Sequence, residues 1–205
     1  MCLPGGENIF SHGPTRGKIG AIMPRYVALL RAINVGGRVV KMEPLRKLFR
    51  ELGFAKVETF IASGNVIFET HAKKADAIEE KIERRLRDAL GYEVTTLLRT
   101  DVELAEIAAL KVYSTEETEG EGAAVYIAFL KTKPARAAAE SLTSHPGSVD
   151  EFKIRGREIH WLCRKRFGDS EFSGARLEKM LGMRMTVRNS TTVRKLAAKF
   201  QVSSG

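Results

Sequence analysis

The sequence predicts an α+β fold of two tandem ferredoxin-like plaits, each with the order βαββαβ, followed by one extra C-terminal helix. Three observations support this prediction. The chain has 205 residues, which is long enough for two small domains. Short apolar runs typical of strands alternate with segments that have the period of an amphipathic helix. The same order of elements occurs in each half, although the halves share no obvious sequence identity.

The first half begins with an apolar run, Arg25–Ile33, which predicts a central strand interrupted only by Arg31. Paired glycines after Asn34 end this strand because glycine permits tight turns. The helix that follows ends at Gly53 and carries four apolar side chains on one face: Leu45, Leu48, Phe49 and Leu52. The other elements of this half are two strands, a helix and a last strand: Val57–Ala62, Val66–Glu69, Lys74–Leu90 and Tyr92–Arg99.

The second half repeats this order after an acidic stretch with few apolar residues, Ser114–Gly122. Before that stretch, Asp101 is expected to cap a short helix that ends near Leu110. The expected order is strand, helix, two strands, helix and strand: Ala124–Leu130, Pro134–Leu142, Val149–Ile154, Glu158–Arg164, Ser173–Leu181 and Arg184–Val187. A final amphipathic helix follows, with either Asn189 or Ser190 as its N-cap.

These elements divide the chain into four segments. Residues 1–23 are predicted to be a disordered or misassigned N-terminal extension, because they are rich in Gly, Pro and Ser and have no periodicity. Met23, directly before the first strand, is the expected natural start. The first plait is expected over residues 24–112, an acidic linker over 113–123, and the second plait with the C-terminal helix over 124–205.

Charge is unevenly distributed along the chain, which has a net charge of +9. Residues 101–149 carry −4, whereas residues 24–100 carry +5 and residues 150–205 carry +7. A basic balance favours contact with polyanions, although a solvated basic surface gives the same composition. No apolar run reaches the roughly 18 residues that span a bilayer, so no membrane contact is expected. Two widely separated cysteines are typical of a reducing, cytoplasmic environment.

Known catalytic, metal and cofactor motifs are not found in the sequence. The four histidines are scattered, without cysteines or carboxylates at ligand spacing, so no metal is expected. No cofactor is expected either, because the Gly36-Gly37 loop matches neither GxGxxG nor GxxxxGK. There is no GxSxG nucleophile motif. An enzyme that uses Lys41 or Ser63 stays an open alternative, although neither has a base partner at suitable spacing.

Polar residues at the loop junctions form the predicted site. A strand, a Gly-Gly turn and a helix start together present free backbone N–H groups, which suit a small anionic or nucleotide-like ligand. The predicted ligand-binding residues are Arg31, Asn34, Gly36, Gly37, Lys41, Ser63, Gly64, Asn65, Arg188 and Asn189. Two structural alternatives remain open. Asn34 would close the glycine turn with a local side-chain bond, and the pair at 188–189 would cap the last helix.

Nucleic-acid binding is the second hypothesis, and RNA-recognition motifs provide a comparison because they use the same plait. Their third-strand signature places aromatic side chains that stack on bases. When this signature is aligned with Ile61–Phe68, two of its aromatic positions are occupied by Ser63 and Asn65. Base stacking on the sheet is therefore not expected. Sequence-independent electrostatic binding through the basic surface stays open.

The segments LLRAINVGG, KMEPLRKLFRELGF and SGNVIFE, with LEKMLG and TVRNSTTVRKL near the C-terminus, closely resemble a bacterial domain-of-unknown-function family, number 1697. The resemblance extends from Arg25 to Lys199 and implies two α/β-plait subdomains with no established activity. Two positions depart from the family pattern, since Ala32 replaces a usual Gly and Ser190 replaces a usual Trp. The polar positions that match are Arg31, Asn34, Lys41, Ser63, Asn65, Arg188, Asn189 and Thr192.

Overall fold

Two four-stranded antiparallel sheets and six α-helices make up the described part of the chain, which confirms the α+β class. The computed structural model describes residues 23–31, 33–34, 37, 39–61, 64–145 and 149–202. The predicted N-terminal extension lies outside these residues, apart from Met23. Within the described ranges, no helix is both long and apolar enough to cross a membrane.

The first half has the predicted order of elements. They are β1 (Arg25–Leu30), α1 (Met42–Glu51), β2 (Ala55–Phe60), β3 (Asn65–Glu69), α2 (Ala75–Leu90) and β4 (Thr96–Thr100). The strands form a sheet of order β2-β3-β1-β4, in which Ala28 of β1 is opposite Val66 of β3 and Leu98 of β4. Helices α1 and α2 cover one face of this sheet, with Phe49 and Ile82 fully buried against it.

A short helix, α3 (Asp101–Ala109), connects the two halves. Thr100, rather than Asp101, is its N-cap: the Thr100 hydroxyl accepts the Glu103 N–H at 3.1 Å, and the Glu103 carboxylate accepts the Thr100 N–H at 2.8 Å. The acidic stretch that follows contains a 3₁₀ turn, Glu116–Thr118, and is attached to the second sheet by an ion pair of 3.0 Å between Lys153 and Glu117.

The second half repeats the order of the first. Its elements are β5 (Ala124–Leu130), α4 (Arg136–Thr143), β6 (Asp150–Arg155), β7 (Glu158–Cys163), α5 (Gly174–Leu181), β8 (Met185–Asn189) and the final α6 (Ser190–Val202). The strand order is β6-β7-β5-β8, which is equivalent to that of the first sheet. Helices α4 and α5 cover one face of this sheet, where Leu142 and Leu177 of the helices share a buried cluster with Trp161 of β7.

The two halves share a hydrophobic core. Residues of β1 alternate between two environments, since Ala28 packs under α1 and α2 whereas Val27 and Leu29 face the other way. That second face joins one buried cluster with Phe129 of β5 and with side chains of α3 and α6, including Leu196. Strands with both faces buried become apolar throughout, which explains the continuous apolar run of β1.

Gly64, in the turn before β3, approaches the end of β1 closely. Its φ of +73° lies in the left-handed region, and its carbonyl accepts the Leu30 N–H at 2.8 Å. A Cβ at this position would lie 2.6 Å from Cγ2 of Ile33 and 3.2 Å from the Leu30 carbonyl oxygen. The backbone conformation and the lack of space both require glycine here.

The variant Gly64→Ala is therefore expected to reduce the free energy of unfolding by about 2–4 kcal/mol, from positive φ and overpacking together. Gly91→Ala is the matched control, because Gly91 has a φ of +76° with no atom within 4 Å of the added Cβ. This control should lose only about 1–2 kcal/mol. Urea unfolding measures both, and equal losses would contradict the close approach.

Candidate functional site

A cavity of about 510 Å³ lies between the two halves, at the end of β1. Its walls come from the segment after β1, the β2–β3 turn, α5, β8 and the start of α6. The lining residues are Leu30, Arg31, Ile33, Asn34, Ile61, Gly174, Ala175, Glu178, Met185, Thr186, Val187, Arg188, Asn189 and Thr192. We call this the interhalf cavity.

Arg188 of β8 connects the two halves at this cavity. Its guanidinium has five N–H donors, and all five are used. The acceptors are Asn65 Oδ1 (2.7 Å), Thr186 Oγ1 (2.7 Å) and the carbonyl oxygens of Val187 (2.8 Å), Leu30 (3.0 Å) and Gly64 (3.5 Å). Three of these acceptors belong to the first half, so one side chain fixes the position of β8 against β1 and β3.

The charge of Arg188 is not neutralised by an acidic partner. Within the described residues no carboxylate forms an ion pair with it, and burial lowers its pKa to about 10. Arg99, another interior arginine, differs because its Nε lies 2.7 Å from Oε1 of Glu158. The interhalf cavity therefore has a largely buried cation in its wall, and all hydrogen bonds of this cation go to neutral groups.

A second arginine crosses between the halves in the opposite direction. Arg31, directly after β1, binds Glu178 of α5 through two bonds, Nε to Oε1 at 2.6 Å and Nη2 to Oε2 at 2.8 Å. Glu178 also accepts the Met185 N–H at 2.9 Å. Burial raises the pKa of Glu178, but the bonds from Arg31 and the Met185 N–H outweigh it, so the pKa is lowered overall. The charges of Arg31 and Glu178 cancel each other. The net positive charge of the cavity wall therefore comes from Arg188.

Two helices begin at the same cavity. Gly174 and Ala175 form the first turn of α5, and Thr192 lies in the first turn of α6. Backbone N–H groups at a helix start carry a partial positive charge and bind anions. Asn189 caps α6 by accepting the Thr191 N–H at 2.8 Å, which agrees with the capping alternative for this residue. Both helix starts add to the positive potential from Arg188.

The structure brings four of the predicted site residues into the cavity wall: Arg31, Asn34, Arg188 and Asn189. Asn65 and Gly64 lie behind this wall and contact it through Arg188. Asn65 is fully buried, and its amide also donates to the Phe60 carbonyl at 3.2 Å. Their observed contacts support the wall of the cavity.

Of the predicted site residues that the structure describes from Asn34 to Lys41, in and beside the glycine loop, only Asn34 lines the interhalf cavity. Asn34 Oδ1 accepts the Val40 N–H at 2.7 Å, which is the local closure of the loop that the structural alternative requires. Gly37, with a φ of +81°, and the exposed Lys41 are not among the residues that line the interhalf cavity. Gly36 and Ser63 lie outside the described residues.

Two side chains of this wall, Glu178 and Ile61, were not among the residues predicted from the sequence. Glu178 lies in the LEKMLG segment, where an acidic residue on an amphipathic helix normally indicates a solvated face. Ile61 is 52% exposed, with a φ of 48° that is uncommon for a β-branched residue. Neither position carries a local signal, because the partner of Glu178 is 147 residues away in the chain.

The sheet face on which an RNA-recognition motif stacks bases is buried in this protein. The first sheet packs α1 and α2 on one face, and its other face, with Val27, Leu29 and Ile67, lies in the core shared by the halves. Base stacking on that face would require the halves to separate. Among the described residues, no group of three or more His, Cys, Asp or Glu side chains could hold a metal ion.

These features define an α+β protein of two repeated halves with a positively charged cavity between them. The family model described as "Protein of unknown function (DUF1697)" matches residues 23–160, and the chain belongs to this family. A search of the curated proteins found no significant match. Among solved structures, a conserved bacterial protein from Streptococcus pneumoniae is similar, with 25% sequence identity and a TM-score of 0.65. The alignment covers 88% of this chain and 99% of that protein.

The contact between Arg31 and Glu178 leads to a prediction of pH-dependent stability. At pH 7, Glu178→Gln should reduce the free energy of unfolding by about 2 kcal/mol, because a charged acceptor of several hydrogen bonds is lost. The folded-state pKa of Glu178 is lowered, so this stabilisation is present above its unfolded pKa and is lost as the pH falls through the folded value. The difference between wild type and variant should therefore shrink in acid.

Glu140→Gln provides the control, since Glu140 forms an exposed pair with Arg136 on α4. Exposed pairs of this kind contribute about 0.3–0.5 kcal/mol. Urea unfolding between neutral and acidic pH measures both variants. A loss for Glu178→Gln as small as that of the control would contradict a structural role for the pair across the halves.

Proposed function

We propose that the protein binds a small anionic, nucleotide-like ligand in the interhalf cavity. The observation that carries this proposal is Arg188, a largely buried cation on the cavity wall with no acidic partner in the described residues. Burying a cation without a counter-ion is unfavourable, and an anion bound nearby would offset part of that cost.

The ligand would be attracted by the charge of Arg188 without displacing its hydrogen bonds. All five Arg188 N–H groups already have acceptors, so direct donors to an anion must come from elsewhere on the wall. The Thr192 hydroxyl and the first-turn N–H groups of α5 are the suitable donors. Arg188 would thus attract the ligand electrostatically, and Thr192 with the first turn of α5 would position it by hydrogen bonds.

The apolar part of the wall supports a ligand larger than a simple ion. A volume of about 510 Å³ falls within the range of roughly 300–1,000 Å³ typical of small-molecule sites. Ile33, Ile61 and Met185 line it together with the polar groups. A nucleotide combines an apolar ring with a phosphate, which matches this combination of wall residues.

We also propose that each half is a ferredoxin-like plait. The order βαββαβ, the 2-3-1-4 strand order in each sheet and the helices on one sheet face support this assignment. A cytoplasmic location is proposed as well, since Cys163 is a free, buried thiol. Both proposals are compatible with a cavity formed where two repeated units meet.

Asn34→Asp tests the proposed site with little structural change. Aspartate keeps the oxygen that accepts the Val40 N–H and adds one negative charge to the wall. Calorimetric titration with pyrophosphate and with AMP should show binding to the wild type, weakened at least about tenfold in the variant by charge repulsion. Ser141→Asp, on an exposed position of α4 away from the cavity wall, should bind as the wild type does.

Failure of both anions to bind the wild type would overturn the proposal, as would equal affinities in the two aspartate variants. A single-stranded DNA oligonucleotide serves as a further arm of the titration. Oligonucleotide binding at low salt without binding of pyrophosphate or AMP would favour the nucleic-acid hypothesis instead.

A further inference from the structure

A second cavity, of about 390 Å³, lies between the last turn of α3, the segment after it, the second sheet and the start of α6. We call it the α3–α6 cavity. It shares no lining residue with the interhalf cavity. The two cavities are close only at the start of α6, where Thr192 lines the interhalf cavity and Ser190 and Arg194 line this one. Its properties are independent of the function proposed for the first cavity.

His160 of β7 provides the polar group inside this cavity. The side chain lines the cavity and is only 2% exposed, and its Nε2 has no hydrogen-bond partner in the described part of the chain. A buried polar atom without a partner costs about 1–3 kcal/mol. Burial, with a smaller effect from Arg155, lowers the pKa of His160 to about 4, so the imidazole is neutral at pH 7. It can therefore donate or accept one hydrogen bond according to its tautomer.

Backbone contacts hold His160 in this position. The Tyr113 hydroxyl lies 2.8 Å from the backbone carbonyl oxygen of His160 and 2.9 Å from that of Glu151. These bonds attach the segment after α3 to the second sheet and close one side of the cavity. The imidazole Nε2 is buried and has no hydrogen-bond partner among the described residues, so only a molecule in the cavity could supply one.

The remaining wall is apolar with a cationic component. Ile107, Val125 and Ile127 supply apolar surface, and Lys111 and Arg194 supply positive charge. Among the described residues, no aspartate or glutamate lines the cavity. This wall differs from that of the interhalf cavity, where a carboxylate forms part of the lining.

We propose that the α3–α6 cavity binds a small apolar carboxylic acid, whose hydrocarbon part packs on the apolar wall and whose polar group pairs with His160 Nε2. The carboxylate charge is favoured by Arg194 and Lys111, both exposed at the cavity. An acid of this kind satisfies the buried nitrogen, covers apolar surface and complements the two cations with one molecule.

The small side chain of Ser190 helps to keep this space open. Ser190 is the first residue of α6 and lines the cavity, so a large side chain at this position would occupy it. Ser190→Trp therefore blocks the proposed site without removing His160 or either cation. Ala198→Trp places the same side chain at an exposed position of the same helix that does not line the cavity.

The test uses the full chain with benzoate as probe and benzamide as its uncharged counterpart. Binding is followed by calorimetry and by the ¹⁵N resonances of the His160 ring. Benzoate should shift the His160 Nε2 resonance. Ser190→Trp should abolish this shift, and Ala198→Trp should retain it.

Charge recognition is tested by Arg194→Gln, which should weaken benzoate binding about fivefold, the effect of losing one exposed charge pair. Benzamide affinity should stay within about twofold of the wild-type value. Asn34→Asp, which alters only the interhalf cavity, should leave benzoate binding unchanged and so separates the two proposals.

Several results would overturn the inference: an unchanged His160 resonance at saturating probe, equal behaviour of the two tryptophan variants, or benzoate shifts confined to the interhalf cavity. A His160 resonance that reports hydrogen bonding to water and does not respond to either probe would show a hydrated cavity only.

Discussion

The hydrogen bonds of Arg188 are the contact on which the arrangement of the two halves depends. A single guanidinium joins β8 to the buried amide of Asn65 and to the carbonyls at the end of β1. Arg31 makes the reverse connection by binding Glu178 in the second half. Each half thus supplies one arginine to the other, on either side of the same cavity. The halves also share a buried hydrophobic core formed by α3, α6 and both sheets.

This arrangement explains why the hairpin before β3 is so constrained. Gly64 must bring its carbonyl close to both Leu30 and Arg188, which leaves no room for a Cβ. Asn65 follows at once and supplies the best-placed acceptor for Arg188. Residues that look like a ligand-binding loop in the sequence therefore support the cation that gives the cavity its charge.

The order of the helices and strands could be predicted from the sequence because the signals that indicate it are local. Periodicity, glycine stops and apolar runs identified the order of all fourteen main helices and strands described here, with ends shifted by a few residues. The packing of one half on the other was not predictable in this way. Glu178 and Arg31 are far apart in the chain, and nothing near either residue indicates the pairing. The same holds for His160, whose unpartnered nitrogen becomes evident only once α3 and α6 enclose it.

We propose that Arg188 combines satisfied hydrogen bonds with a charge that a bound anion would neutralise. The most direct measurement is the ¹⁵Nε–H resonance of Arg188 during titration with pyrophosphate, with Arg99 as the internal reference because Glu158 already neutralises it. We expect a slowly exchanging Arg188 Nε–H signal that shifts as pyrophosphate binds, while the Arg99 signal stays in place. Pyrophosphate binding that moves neither signal, or moves both equally, would contradict it.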